Sequence, residues 1–300
     1  MSPAANPARR DAHGKASPGG GTGVTEPGLL TRSRIRELLE RHELAPSRAL
    51  GQNFLCDAGT VDKIVRLAGV GPGDRVVEIG AGLGSLTLGL CRAGAEVLAL
   101  EIDRHLIAPL TETLAAGAPG CRVAVHQADA RTFAWEAHLG PHRWKVVANL
   151  PYNIATPLVL DLLAARPELG YYLVMVQREV GERLAAGPGT KDYGIPSVLV
   201  AYWGRARVVG SVRPELFHPR PRVESVLVAI ERDAQPVVDV PYQRLATLVR
   251  AGFGQRRKML RRALAGVVTQ AQLEEAGIDP QLRAEQLDLA AWASLARVSA

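Results

Sequence analysis

Short apolar runs alternate with amphipathic stretches through the middle of the chain, and this alternation is its dominant pattern. It predicts strands at Arg75–Ile79, Glu96–Leu100, Arg122–Val125, Val146–Ala148 and Tyr171–Val176. It predicts helices at Leu83–Arg92, Arg104–Leu114 and Pro157–Ala165. Strands that alternate with helices favour a parallel sheet covered by helices on both faces. The expected fold class is therefore α/β, with a Rossmann-like parallel sheet.

The segments around this alternating region complete the first predicted domain, which covers residues 31–235. A helix is predicted at Ser33–His42, an irregular basic segment at Ala45–Phe54, and a helix that Asp57 caps and that runs to Ala68. The later apolar segments Arg207–Val212 and Val226–Ile230 are predicted to pair as edge strands. Residues 1–30 are rich in Pro, Gly, Ala and Ser and predict a disordered tail without a secretory signal.

From about Pro241 the pattern predicts helices only, which indicates a smaller all-helical domain over residues 236–300. The predicted helices are Tyr242–Ala251, Arg257–Leu264, Gln270–Ala276 and Leu289–Val298.

The most basic patch of the chain lies in this helical part. Arg256, Arg257, Lys258 and Arg261 are candidate RNA-binding residues because they can form a surface that tracks phosphates. At helical spacing, Met259, Leu260 and Leu264 would face inward. A solvated helix face is the alternative interpretation of the patch.

Composition and charge narrow the class of protein. The 300 residues carry 47% hydrophobic residues and a net charge of +6, which indicates a globular protein and allows an acidic polymer as partner. An ordinary basic enzyme would have the same charge. Cys56, Cys91 and Cys121 are few and far apart, which argues against a disulfide framework and a zinc site, and no metal ligands are predicted. Without an apolar run of membrane-spanning length, a cytoplasmic location away from membranes is expected.

A glycine-rich turn after the first predicted strand is a candidate cofactor site. Gly80 and Gly82 belong to a G-x-G-x-G pattern, which differs from the G-x-G-x-x-G of dinucleotide folds. Glu101 ends the next strand, where a carboxylate can accept hydrogen bonds from ribose hydroxyls, and Asp129 follows the third strand and could reach an adenine amino group. S-adenosylmethionine is the favoured cofactor, with NAD as the alternative.

The tetrapeptide that starts at Asn149, directly after a predicted strand, favours methyl transfer to an adenine amino group. The Asn149 side-chain oxygen and the Leu150 carbonyl can accept the two N6 hydrogens, which frees the nitrogen lone pair for attack. Tyr152 can stack on an extruded base, a contact of about 1–3 kcal/mol. Phe217 lies in a proline-flanked loop and is expected to present an exposed ring to the other face of the base. An Asx-turn at Asn149 and a core tyrosine are the structural alternative.

These motifs resemble the bacterial small-subunit ribosomal RNA adenine dimethyltransferases over about residues 50–292. The resemblance is carried by the segments Leu50–Leu55, Glu78–Gly84, Asn149–Ile154, the Phe217 loop, Gly252–Lys258, Gly277–Pro280 and Arg283–Glu285. It implies a methyltransferase domain that dimethylates two adjacent adenosines in the 3′-terminal hairpin loop of 16S rRNA and acts on an assembling small subunit. A monomer is expected. It implies cofactor contacts at Asn53, Leu55, Gly80, Glu101, Asp129 and Asn149, and base contacts at Asn149, Leu150, Tyr152 and Phe217.

Three other functions stay open on the sequence. The nearest is a 23S rRNA adenine methyltransferase of the antibiotic-resistance group, which shares the glycine and asparagine motifs. A DNA adenine methyltransferase is disfavoured because no separate sequence-reading domain is evident. A non-catalytic ribosome-assembly or RNA-binding factor belongs to a different class, and the intact glycine, acidic and asparagine motifs argue against it.

Overall fold

The computed structural model describes residues 28–299, and the elements named here lie in that range. The strands are β1 (Phe54–Leu55), β2 (Arg75–Ile79), β3 (Glu96–Glu101), β4 (Val123–Gln127), β5 (Trp144–Asn149), β6 (Leu169–Gln177), β7 (Gly204–Val212), β8 (Phe217–His218) and β9 (Ser225–Arg232). The helices are α1 (Arg32–Arg41), α2 (Ala58–Leu67), α3 (Ser85–Arg92), α4 (Ile107–Gly117), α5 (Glu136–Leu139), α6 (Ala155–Ala165), α7 (Arg178–Ala185), α8 (Ile195–Trp203), α9 (Tyr242–Gly254), α10 (Leu260–Ala263), α11 (Gln270–Glu275) and α12 (Leu289–Val298).

Most of the predicted tail lies outside the described residues, which begin at residue 28. Leu29 and Leu30, its last two positions, are buried in the hydrophobic core. They therefore belong to the folded domain and not to the tail.

A seven-stranded sheet in the order β4-β3-β2-β5-β6-β9-β7 is the centre of the described structure. The first five strands are parallel, which confirms the α/β prediction. The chain runs outward from β2 to β4 and then crosses back to β5, so the carboxyl ends of β2 and β5 lie side by side at a switch point. Open α/β sheets bind ligands in the crevice at such a point.

The two late apolar segments pair as predicted, but only one of them is an edge strand. Strand β9 is antiparallel to both β6 and β7, and β7 forms the edge of the sheet. The residues of β9 from Ser225 to Ile230 are all buried. Val228 packs in the core on one face and Leu227 in the core on the other, so this uninterrupted apolar run is an interior strand.

Each face of the sheet has its own hydrophobic core. On one face, Ile35, Ile64, Leu88 and Leu110 bring α1 to α4 against the strands. On the other face, Leu139, Leu158, Leu184 and Val200 do the same for α5 to α8. Helices on both faces explain why the central strands read as continuous apolar runs.

Helix α8 joins the sheet to the helical part of the chain and was not predicted. Its Val198, Leu199 and Tyr202 are buried in a third core with Leu245 of α9 and Trp292 of α12. The helix is apolar nearly all round because it is covered on two sides, so it lacks the one-sided periodicity of a surface helix. This core therefore contains residues from both sides of the predicted domain boundary between residues 235 and 236.

The predicted helix Arg257–Leu264 is shorter in the structure, where α10 covers only Leu260–Ala263. Leu260 and Leu264 are buried as predicted, but Met259 is 39% exposed and faces outward. Met259 has an extended backbone, and the Leu260 amide donates to Leu282 O at 2.7 Å, so the helix begins only after Met259.

One disulfide corrects the expectation drawn from the cysteines. Cys91 and Cys121 are bonded with their Cα atoms 5.5 Å apart, and Cys56 is free. Cys91 is near the end of α3 and Cys121 lies just before β4, so each precedes one of two adjacent parallel strands. The crossovers return both segments to the same end of the sheet, which makes residues 30 positions apart neighbours.

Candidate active site

An open cavity, whose volume of about 770 Å³ includes open solvent, lies at the carboxyl ends of β2, β3 and β5, at the switch point of the sheet. Four segments line it, at positions 50–55, 78–86, 101–106 and 149–152. Of the predicted site residues, the cavity brings together Asn53, Leu55, Gly80, Gly82, Glu101, Asn149, Leu150 and Tyr152.

The glycine turn between β2 and α3 needs its glycines. Gly80, Gly82 and Gly84 have φ angles of 76°, 59° and 90°. Residues other than glycine rarely adopt such positive φ angles. A Cβ at Gly82 would lie 3.2 Å from the Phe54 ring, which lines the cavity from β1. The glycines therefore allow the turn. The absence of a Cβ at Gly82 also lets the Phe54 ring pack close to the backbone of the turn.

Glu101 fastens this turn to the end of β3. Its Oε2 accepts the Gly82 amide at 2.7 Å, and its Oε1 accepts the Asp103 amide at 2.9 Å. Burial raises the pKa of Glu101, and the two backbone N–H groups act in the opposite direction. Each oxygen keeps a further lone pair, so the carboxylate can also accept ligand hydroxyls.

Asn149 ends β5 with its side chain held in place. Its Nδ2 donates to the Asn53 carbonyl oxygen at 3.1 Å, and this contact leaves the amide oxygen Oδ1 as an acceptor for a ligand. The Asn53 side chain itself donates to Gly51 O at 3.0 Å, which ties the irregular segment before β1 to the cavity. The Leu150 amide donates to Met175 O at 3.1 Å and continues the β5–β6 pairing by one residue.

Tyr152 closes the same side of the cavity as a half-buried aromatic side chain. Its hydroxyl shares a 2.9 Å hydrogen bond with Ser225 Oγ, at the buried start of β9. Burial raises the pKa of Tyr152, while the Ser225 contact lowers it. The ring is thus fixed at its far end, as a stacking platform requires.

Phe217 does not present an exposed ring, so that prediction is wrong. The residue is fully buried and is absent from the cavity lining. It lies in β8, which pairs with β1 so that Phe217 is opposite Leu55. The short ribbon places the ring in the same hydrophobic core as Phe54 and Leu55 of β1, because β8 pairs with β1 instead of remaining an exposed loop.

Asp129 is likewise not among the residues that line the cavity. Its carboxylate binds Arg131, with Oδ2 2.6 Å from Nη2 and Oδ1 accepting the Arg131 amide at 2.9 Å. This arginine holds the pKa of Asp129 below its usual value. A cofactor contact at Asp129 stays a prediction from the resemblance.

The basic patch is exposed, but its members differ in their contacts. Arg256 binds Glu285 at 2.7 Å through Nε and donates to the Lys191 carbonyl oxygen at 2.7 Å, so it joins parts of the protein. Arg257, Lys258 and Arg261 are exposed to solvent. These three side chains are therefore the ones available to a polyanion.

Sequence reasoning missed Glu78, Ser85 and Ser225. Glu78 and Ser85 line the cavity, and the Ser85 hydroxyl donates to Leu55 O at 2.6 Å, which joins α3 to β1. The acidic residue directly before the glycine turn was a signal that could have identified Glu78. Nothing local marks Ser225, because only the packing of β9 brings it to Tyr152.

The cavity suits S-adenosylmethionine by its charge. The described residues that line it include the two acids Glu78 and Glu101 but no Lys, Arg or His. Such a wall favours a cationic sulfonium over a nucleotide triphosphate, whose phosphates need positive partners. No helix within residues 28–299 is long and apolar enough to cross a membrane, and no metal-binding group of three or more His, Cys, Asp or Glu occurs in the same range.

Comparisons with known proteins agree with this geometry. The family model described as ribosomal RNA adenine dimethylase matches residues 46–300. A ribosomal RNA small subunit methyltransferase A from Leifsonia xyli is 48% identical over 89% of this chain and 98% of its own. One of the same name from Kineococcus radiotolerans is 47% identical over 89% of this chain and 91% of its own.

Solved structures show the same fold. A dimethyladenosine transferase from Plasmodium falciparum superposes with a TM-score of 0.68 over 81% of this chain and 95% of that one, at 24% identity. The 23S rRNA methyltransferase ErmE superposes with a TM-score of 0.63 over 82% of this chain and 99% of that one, at 26% identity. The chain therefore belongs to the ribosomal RNA adenine dimethylase family and is an rRNA adenine N6-dimethyltransferase that uses S-adenosylmethionine.

Proposed function

We propose that this protein dimethylates N6 of two adjacent adenosines in the 3′-terminal hairpin loop of 16S rRNA during small-subunit assembly in the cytoplasm. The observation that carries the chemistry is the Asn149 amide, whose Nδ2 is bound to Asn53 O so that Oδ1 is free to accept. The small-subunit RNA is favoured by the relatives' names and by their coverage of nearly the whole chain. The protein acts as a monomer on this substrate.

In the proposed mechanism, the protein positions the adenine and needs no strong base. In the first transfer, Asn149 Oδ1 and the Leu150 carbonyl accept the two hydrogens of N6, which turns the nitrogen lone pair out of conjugation with the ring. Tyr152 stacks on the base and is held by Ser225. S-adenosylmethionine, when bound, supplies the methyl group as an electrophile on a sulfonium. The attacking nitrogen becomes cationic and releases a proton to solvent.

The residues that could hold the cofactor are the cavity members Asn53, Leu55, Gly80, Gly82 and Glu101. Glu101 is suited to the ribose hydroxyls, because both its oxygens are at the cavity and oriented by backbone amides. Asp129 is proposed for the adenine amino group because it follows strand β4 at the same end of the sheet and because the resemblance implies it. Phe217, fully buried within the β1–β8 ribbon, is proposed to support Leu55 from the core.

A methyl-transfer assay tests the function. Unmethylated small subunits are incubated with labelled S-adenosylmethionine, and the modified nucleosides are identified and mapped. We expect N6,N6-dimethyladenosine at two adjacent 16S positions, and we expect Asn149→Ala to lower transfer at least about a hundredfold because it removes an acceptor made for the reacting group.

Other outcomes of this assay would overturn the proposal. Label in 23S rRNA would assign the protein to the resistance group, for which the likeness to ErmE is the supporting observation. Tight binding to subunits without label would indicate a non-catalytic assembly factor.

The exposed cations Arg257, Lys258 and Arg261 are proposed to contact RNA phosphates. Changing all three to Gln is expected to weaken subunit binding. The slope of log affinity against log salt concentration should fall by the amount expected for about three phosphate contacts, and the affinity for S-adenosylmethionine should not change. Arg66, an exposed arginine of α2, offers a control through Arg66→Gln. An unchanged salt slope in the triple variant would show that RNA binds elsewhere.

A further inference from the structure

Glu78 is an unexplained acid in the wall of the cavity. It lies in β2, two residues before Gly80, and only 2% of its surface is exposed. Its Oε2 has no hydrogen-bond partner among the described residues. A buried carboxyl group without a partner is costly, and such groups are concentrated at binding sites.

The two acids of the cavity differ in their surroundings. Glu101 accepts a backbone N–H on each oxygen, whereas Glu78 Oε2 accepts none. Burial raises the pKa of Glu78 to about 8; Thr87 of α3 acts against this rise and Glu101 of β3 adds to it. Asn149, from the neighbouring strand β5, is uncharged. At neutral pH the free protein therefore holds Glu78 mainly protonated.

Methyl transfer changes the charge of the ligand in this cavity. S-adenosylmethionine carries a sulfonium charge that S-adenosylhomocysteine, the product, lacks. A carboxylate in a desolvated wall attracts a nearby cation far more strongly than it would in water. An acid that can lose its proton on binding is thus suited to distinguish the two ligands.

We propose that Glu78 is the residue that selects the cofactor over its product by charge: it releases its proton to solvent when S-adenosylmethionine binds and regains one after methyl transfer. No bond to the ligand forms, and the proton is the only species exchanged. The carboxylate holds the cationic cofactor, and the neutral acid favours departure of the product. This inference rests on the family's cofactor and not on which adenosines are modified.

Calorimetry without RNA tests the proposal. S-adenosylmethionine and S-adenosylhomocysteine are each titrated at pH 7 in buffers of different ionisation heat. We expect S-adenosylmethionine to release about one proton and S-adenosylhomocysteine close to none, because the folded group is largely protonated at this pH. Equal proton release for both ligands, or none for either, would overturn the proposal.

Substitutions test whether the released proton comes from Glu78. Glu78→Gln is expected to abolish the release and to weaken S-adenosylmethionine binding about tenfold or more, with less than about a threefold effect on S-adenosylhomocysteine, since one pKa unit of interaction is a factor of ten. Glu275→Gln, which removes an exposed acid on α11, is the matched control and leaves both affinities unchanged. An equal loss for both ligands would make Glu78 a structural residue only.

A second variant keeps the test decisive if Glu78→Gln does not fold. Thr87→Val retains the acid and removes a buried hydroxyl that lowers the pKa of Glu78, although Thr87 Oγ1 makes no hydrogen bond within the described residues. Proton release should persist in this variant, with its pH midpoint moved upward. Loss of the proton release in this variant, which retains the acid, would contradict the proposal. Because these measurements use ligand alone, absence of methyl transfer to 16S rRNA would overturn the proposed substrate without affecting them.

Discussion

Two side chains of the active site are fixed by contacts at their far ends. Asn149 Nδ2 donates to Asn53 O, and the Tyr152 hydroxyl bonds Ser225 Oγ. Both contacts leave the other side of each side chain free, so in the proposed mechanism the acceptor and the aromatic face are held before a base arrives. Orientation of this kind lowers the entropic cost of reaching the reactive geometry.

The anchor of Tyr152 leads to a prediction at this scale. Ser225→Ala should lower kcat/KM for methyl transfer about five- to tenfold, the effect of one lost hydrogen bond, while S-adenosylmethionine affinity stays unchanged. Tyr152→Phe should have a similar effect. The double variant should be no worse than either single one, because both changes remove the same contact. Losses that multiply would show that the two hydroxyls act independently.

At the scale of elements, the turn between β2 and α3 sets the shape of the cavity. Gly84 immediately precedes α3 with a φ of 90°. A Cβ there would lie 2.9 Å from Leu110 Cδ1 and 3.3 Å from Thr113 Cγ2, both in α4. The turn, the start of α3 and the packing of α4 therefore depend on one glycine.

Gly84→Ala should destabilise the protein by about 1–3 kcal/mol, because it combines a disfavoured φ with a close contact. Urea unfolding measures the change. Gly71→Ala is the control, since an added Cβ there meets nothing within 4 Å, and its effect should stay within about 0.5 kcal/mol. Equal stability of the two variants would show that the turn relaxes without cost.

Elements with strong local signals were predicted well. The strand Arg75–Ile79 and the helix Leu289–Val298 have the predicted bounds, and Asp57 caps α2 by accepting the Thr60 amide at 2.8 Å. Helix α8 and the β1–β8 ribbon were missed. Their residues carry no periodicity of their own, because their form depends on partners that are distant in sequence.

At the scale of the whole molecule, Glu78 couples folding to pH. Its folded-state pKa is about 8, above the ordinary 4.5. Between these values the unfolded chain has lost the proton and the folded chain retains it, so unfolding releases a proton. The contribution of Glu78 to the free energy of unfolding therefore falls as the pH rises from 4.5 to 8. Above pH 8 this contribution no longer changes with pH.

Glu78→Gln should remove this dependence. The stability of the variant relative to the native protein is expected to rise between pH 5 and pH 8 and then to level off. Urea unfolding of both proteins across that range, without ligand, gives the difference, and Glu275→Gln controls for the lost charge. Parallel pH profiles for Glu78→Gln and the native protein would contradict the assignment.

The sequence by itself determined the α/β class, most strands and the glycine turn. It also determined that Glu101, Asn149 and Tyr152 lie at the cavity. These features follow from local periodicity and from residue types with few alternative uses. Only the tertiary structure decided the burial of Phe217, the ion pair that holds Asp129, the bond between Cys91 and Cys121, and the lack of a hydrogen-bond partner for Glu78 Oε2. The burial of these side chains and their bonding partners depend on segments that are distant in sequence. A local sequence pattern therefore cannot predict them.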